Sequence, residues 1–66
     1  MQRARRQLSF FQWRERLGLT QGEAGIALGR TERQVQYYEA GHEIPRIVRL
    51  AMLYLLEHPE ELPPKQ

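Results

Sequence analysis

The stretch LTQGEAGIALGRTERQVQYYEAG, residues 19–41, constrains this chain more than any other part of it. Thr20 can cap a helix with its hydroxyl, and Glu23, three residues on, can bond back to the cap's own N–H, completing a capping box. Ile26, Ala27 and Leu28 follow, and Gly29 stops the helix as a glycine in the left-handed region does. Thr31 can cap a second helix, in which Val35 and Tyr38 lie three apart and so share a face. Gly41 ends that helix. The pattern predicts two short helices joined by a tight turn, the second carrying polar side chains directed away from the protein.

A turn of about three residues between two such helices is the spacing of a helix-turn-helix. Gly25 fits the same reading. Glycine costs about 1 kcal/mol against alanine inside a helix, and one is expected there where another helix crosses with no room for a Cβ. Ala24, Gly25, Leu28, Gly29, Val35 and Tyr38 fall where the motif takes small, small, apolar, turn glycine, apolar and apolar. With Leu19-Thr20-Gln21, Glu23, Tyr38-Glu39, Gly41, Pro45 and the upstream Arg14, the stretch resembles the Cro/CI-type (lambda-repressor-like, XRE) DNA-binding domain over residues 8–57.

The resemblance implies an all-α fold, a small lambda-repressor-like bundle of four or five helices containing the helix-turn-helix. It also implies that Arg14 and Glu39 pair across the domain in a structural ion pair. Losing one partner of a fully buried pair costs about 3–5 kcal/mol. Gln21, opening its helix, matches the family position that bonds the DNA backbone, and Arg46 resembles family basic residues that reach the backbone or a minor groove. The loop before Arg46 is about a residue shorter than in some relatives.

Sixty-six residues allow one domain with a limited core, and no cysteine is present to staple it. Residues 1–49 hold nine arginines against five glutamates, a balance of +4, whereas residues 50–66 hold Lys65 against Glu57, Glu60 and Glu61, a balance of −2. A basic front and an acidic tail suit a polyanion on one side only. Residues 1–7, with Arg3, Arg5 and Arg6, read as either a frayed end or a basic arm for phosphates or a minor groove. The N-terminus lacks the apolar core of a signal peptide, and the longest apolar run, Leu50–Leu56, is far below the ~20 residues that span a bilayer. A cytoplasmic protein without membrane attachment is expected.

Ser9 can cap a first helix to about Leu17, with Phe10, Trp13 and Leu17 on one apolar face and Gly18 closing it. Leu8 and Phe11 flank that stripe, placed to cover the fourth helix or a second subunit. After the loop His42-Glu43-Ile44-Pro45, a fourth helix begins at Pro45 or Arg46 and stops at His58-Pro59. Ile44, Ile47, Val48, Ala51, Tyr54 and Leu55 form its expected core stripe. Leu50, Met52 and Leu53 fall outside it, and a terminal helix cannot bury both faces within so small a domain. These three residues are the expected homodimer surface. Residues 59–66 read as an irregular, Pro-rich tail, with Leu62 free to pack back onto the helix or onto a partner.

With Val35 and Tyr38 inward, Glu32, Arg33, Gln36 and Tyr37 point outward as base-contacting candidates. Arg33 can give two parallel bonds to guanine and Gln36 the same to adenine, each about 1–3 kcal/mol of discrimination. Glu32 repels phosphate but can accept from cytosine N4 or orient Arg33; Tyr37 can pack on a thymine methyl or bond a phosphate. Gln21, Arg30, Thr31, Gln34 and Arg46 are the phosphate-contacting candidates. The bland alternative is an ordinary solvated helix face.

An enzyme is hard to build from these residues. No Ser/His/Asp set or glycine-rich phosphate loop is visible, and His42 and His58 lack the carboxylate or cysteine company of a metal site. No metal, cofactor or small-molecule ligand is expected. The sequence therefore predicts a dimeric regulator, most simply a repressor, that reads an inverted repeat in double-stranded DNA. The rival reading is an antitoxin or regulator subunit that uses the same fold to bind a protein through the Leu50–Leu56 helix.

Overall fold

One device starts each of the first three helices. In the computed structural model, which describes residues 8–64, Ser9 caps α1 (Phe10–Leu17), Thr20 caps α2 (Gln21–Leu28) and Thr31 caps α3 (Glu32–Glu39). Each hydroxyl accepts from the N–H three residues on, and the side chain there, Gln12, Glu23 or Gln34, accepts from the cap's N–H. Three reciprocal boxes thus satisfy backbone donors that helix starts otherwise leave open. Only the box at Thr20 was evident from the sequence; Gln12 and Gln34 complete the others. The stops are equally local. Gly18 and Gly29 sit in the left-handed region at φ 69° and 70°, and Gly41 follows α3 at φ 103°.

The crossing expected at Gly25 is made by the chain's own turn. A Cβ there would lie 2.6 Å from the Arg30 carbonyl oxygen and 3.3 Å from the Thr31 carbonyl carbon. No second helix is involved; the backbone entering α3 occupies the space, so α2 and α3 are locked at their junction.

The last helix, α4 (Arg46–Glu57), closes the bundle and is followed by a single 3-10 turn, Pro59–Glu61. The core draws on all four helices: Phe10 and Trp13 from α1, Ala24 from α2, Val35 and Tyr38 from α3, and Val48, Met52 and Leu55 from α4, with Leu19 between α1 and α2. The Phe10 ring lies between those of Trp13 and Tyr38, at centroid separations of 5.3 and 5.5 Å. Trp13 is fully buried, and its indole N–H donates to the Met52 carbonyl at 2.9 Å.

That bond corrects the expected phase of α4. Met52 is buried, not part of an outward face, while Ile47 and Tyr54, read as core, are 65% and 49% exposed. The buried stripe is Val48, Met52 and Leu55, spaced i, i+4, i+7. Hydropathy does not fix the rotation of a helix that is apolar nearly all round; packing against the other helices, the Trp13 indole of α1 among its contacts, does. The tail is likewise not wholly irregular, since it makes the 3-10 turn and Leu62 packs against the core. Among the described residues there is no strand, and no helix is long and apolar enough to cross a membrane. The basic arm read at residues 1–7 lies outside the described residues.

Candidate functional site

The exposed side of α3 follows from its buried side. Val35 and Tyr38 hold the helix to the core, so Glu32, Arg33, Gln34, Gln36 and Tyr37 are exposed on an arc centred on Arg33. The four residues read as base-contacting candidates therefore share one solvent-facing surface. Arg33 has no ion-pair partner among the described residues and is free to engage another molecule.

Behind this surface lies a chain of hydrogen bonds across three helices. Arg14 of α1 donates from Nε and Nη2 to the two carboxylate oxygens of Glu39 in α3, at 2.5 and 3.2 Å, and from Nη1 to the Leu19 carbonyl at 3.0 Å. Both side chains are mostly buried, at 16% and 12% exposure, so the expected pair is present and ties α1 to α3. Gln21 of α2 adds a third donor, from Nε2 to Glu39 Oε1 at 2.9 Å. Burial pushes the Glu39 carboxyl upward, but the bonds from Arg14 and Gln21 and the charge of Arg14 outweigh it and hold it below the ordinary carboxylate range. Gln36 then donates to Gln21 Oε1 at 3.4 Å. The outward residue Gln36 is thus connected, through Gln21, to the ion pair that fixes α3.

The phosphate-contacting candidates divide. Thr31 and Gln34 occupy one another in the capping box, with Gln34 Oε1 accepting from the Thr31 N–H at 2.9 Å and its hydroxyl at 3.2 Å. Arg30 is half-buried and reaches back to the Gly29 carbonyl at 3.4 Å. Gln21 is half-buried in the chain just described. Arg46 is exposed at the first position of α4. Glu32 lines an open groove between α2 and α3 with Thr20, Gly22, Glu23, Ile26 and Arg30.

One surface residue went unassigned from the sequence. His42 stacks on the outward Tyr37, with ring centroids 3.8 Å apart and planes 9° from parallel. The stack gives Tyr37 a fixed orientation beside Gln36 and Arg33. A histidine five residues after a helical tyrosine, across a glycine, carries no recognisable pattern, so only the fold brings the rings together.

On α4, Leu50 and Leu53 stand 46% and 57% exposed, alongside Ile47 and Tyr54. Met52 is not with them. The Tyr54 hydroxyl titrates above the usual phenol range because of the Glu61 charge and, secondarily, burial and its hydrogen bond to Glu61, and its ring stacks on His58 at 4.5 Å. Among the described residues no group of three or more histidine, aspartate or glutamate side chains could hold a metal ion. Comparisons of the chain with protein-family models, with curated proteins and with solved structures give no match.

Proposed function

We propose that the α2–turn–α3 unit is a helix-turn-helix that reads a specific sequence in duplex DNA, and that the protein acts as a small dimeric transcriptional regulator, most simply a repressor. The observation that carries this reading is the α3 surface. Arg33, Gln36 and Tyr37 side chains, whose chemistry matches base edges and thymine methyls, project together from a short helix whose other side is locked into the core. Gln36 is backed by a hydrogen-bonded chain, so its amide meets a base with its orientation already restricted, which lowers the entropic cost of binding. The N–H groups at the first two positions of α2 and α3, which the capping boxes leave open, are available for phosphate, and Arg30 supplies charge.

In a dimer, the two α3 helices enter successive major grooves about 34 Å apart, and the operator is an inverted repeat. Selection of bound duplexes from a random pool tests this. Wild type should enrich an inverted repeat, Arg33→Ala should lose preference at one base position in each half-site, and Gln36→Ala at a neighbouring one. Enrichment of nothing, with only weak salt-sensitive binding left, rejects the reading.

A further inference from the structure

The outward face of α4 has an internal symmetry. Arg46, Leu50, Leu53 and Glu57 lie along one line of the helix, and their spacing of four, three and four residues is the same read in either direction. All four are exposed. Arg46 and Glu57 have no ion-pair partner among the described residues. We propose that this line pairs with the same line of a second copy, the two α4 helices running antiparallel about a twofold axis between Leu50 and Leu53. This deepens the dimeric part of the function proposed above, and it stands on observations independent of DNA.

Antiparallel pairing in this register sets Leu50 against Leu53 of the second copy, and Leu53 against its Leu50. At the ends, Arg46 meets Glu57 of the second copy, and Glu57 meets its Arg46. Ile47 and Tyr54, which form a second exposed rank on one side of the line, are carried by the same rotation against Tyr54 and Ile47 of the copy. Every exposed apolar side chain of α4 is then covered by an apolar one, and each end charge meets its opposite. A parallel pair would set Arg46 on Arg46 and Glu57 on Glu57.

The charges of α4 supply a second argument. A helix favours acidic residues in its first turn and basic ones in its last. In α4 the first turn has no acidic residue and carries Arg46 and Arg49, the last turn has no basic residue, and Glu57 closes it. Of the three capped helices, α2 and α3 have an acid in the first turn, Glu23 and Glu32, so that Arg33 in the first turn of α3 is offset by its neighbour; α4 has no acid to offset its two arginines. An arrangement unfavourable within one α4 becomes favourable when a second, antiparallel α4 brings its acidic end to the basic end of the first. The helix is only twelve residues long, so the interface is small by the standard of about 800 Å² per partner, and the dimer is a reversible one.

Sedimentation equilibrium without DNA, over protein concentrations from about 1 µM to about 1 mM, tests the proposal on the full chain. Wild type should pass from monomer to dimer within that range. Arg46→Glu sets like charges together at both ends and should weaken dimerisation about tenfold or more, and Arg46→Glu with Glu57→Arg should restore it to within about threefold of wild type. Leu53→Asp should abolish the dimer; all these positions are exposed, and an unchanged circular dichroism spectrum confirms that each variant folds. A wild-type chain that stays monomeric throughout overturns the proposal. So does a dimer indifferent to Arg46→Glu, or one that the double reversal fails to restore. Failure of the DNA selection with dimerisation intact would reject the DNA reading alone.

Discussion

Glu39 receives three hydrogen bonds, two from Arg14 and one from Gln21, and its depressed pKa makes the pair a source of pH-dependent stability. A carboxyl whose folded pKa lies below its unfolded value of 4.5 contributes its full stability above that value. The contribution is lost as pH falls below 4.5 and through the folded pKa, because the unfolded chain takes up the proton first. Urea unfolding followed from pH 7 to pH 3 should show an acid decline in wild type that is shallower in Glu39→Gln, which is less stable at pH 7 yet loses less on acidification. Parallel slopes would mean that Glu39 titrates normally. Gln21 has two possible uses, and they separate in one experiment. As a positioning residue it holds Gln36, and Gln21→Ala should relax base preference at the position that Gln36→Ala affects. As a phosphate ligand alone it would weaken all sequences alike, with the salt slope unchanged because the side chain carries no charge. The Arg14–Glu39 pair was legible because a motif at fixed spacing carried it. The bond from Gln36 to Gln21 was not, since it depends on how closely two helices approach.

At the scale of the element, local chemistry decided the first three helices and tertiary contact decided the fourth. Ser9, Thr20 and Thr31 each meet a suitable side chain three residues on, and Gly18, Gly29 and Gly41 punctuate the ends. Such signals lie within one turn of chain, and the three caps and the glycine stops were legible in the sequence, although of the boxes only that at Thr20 was. In α4 Leu, Ile, Met, Val and Tyr occupy nearly every side, and the hydrophobic pattern leaves its rotation open. The Trp13 indole bonded at Met52 turns the helix so that Val48, Met52 and Leu55 face inward. Truncation should reveal that phase. Met52→Ala should destabilise the fold by about 2–5 kcal/mol as a buried large-to-small change. Leu50→Ala, at dilutions where the chain is monomeric, should stay within about 0.5 kcal/mol of wild type. Denaturant midpoints measure both, and the reverse order would restore the rotation in which Met52 faces outward.

For the whole molecule, the small core and the exposed α4 face are one problem. Among the described residues nine buried side chains form the core of a chain of 66 residues without a cysteine, and domains of this size fold only marginally on core burial alone. Covering Ile47, Leu50, Leu53 and Tyr54 in a dimer links folding to association, and mass action then makes the thermal midpoint depend on concentration. Where the dimer is the main folded species, each tenfold rise in concentration adds about 1.4 kcal/mol per dimer, or about 0.7 kcal/mol per chain. For a domain this small, about 1 kcal/mol moves the midpoint by about 4–8 °C, so each tenfold rise should raise it by about 3–5 °C. Below the dissociation constant the dependence should vanish, and in Leu53→Asp it should be absent at every concentration. Calorimetric scans at several concentrations above that constant measure the slope. A wild-type midpoint that never moves would mean that the apolar face of α4 contributes nothing to folding, and the monomer would have to be stable on its nine buried side chains alone.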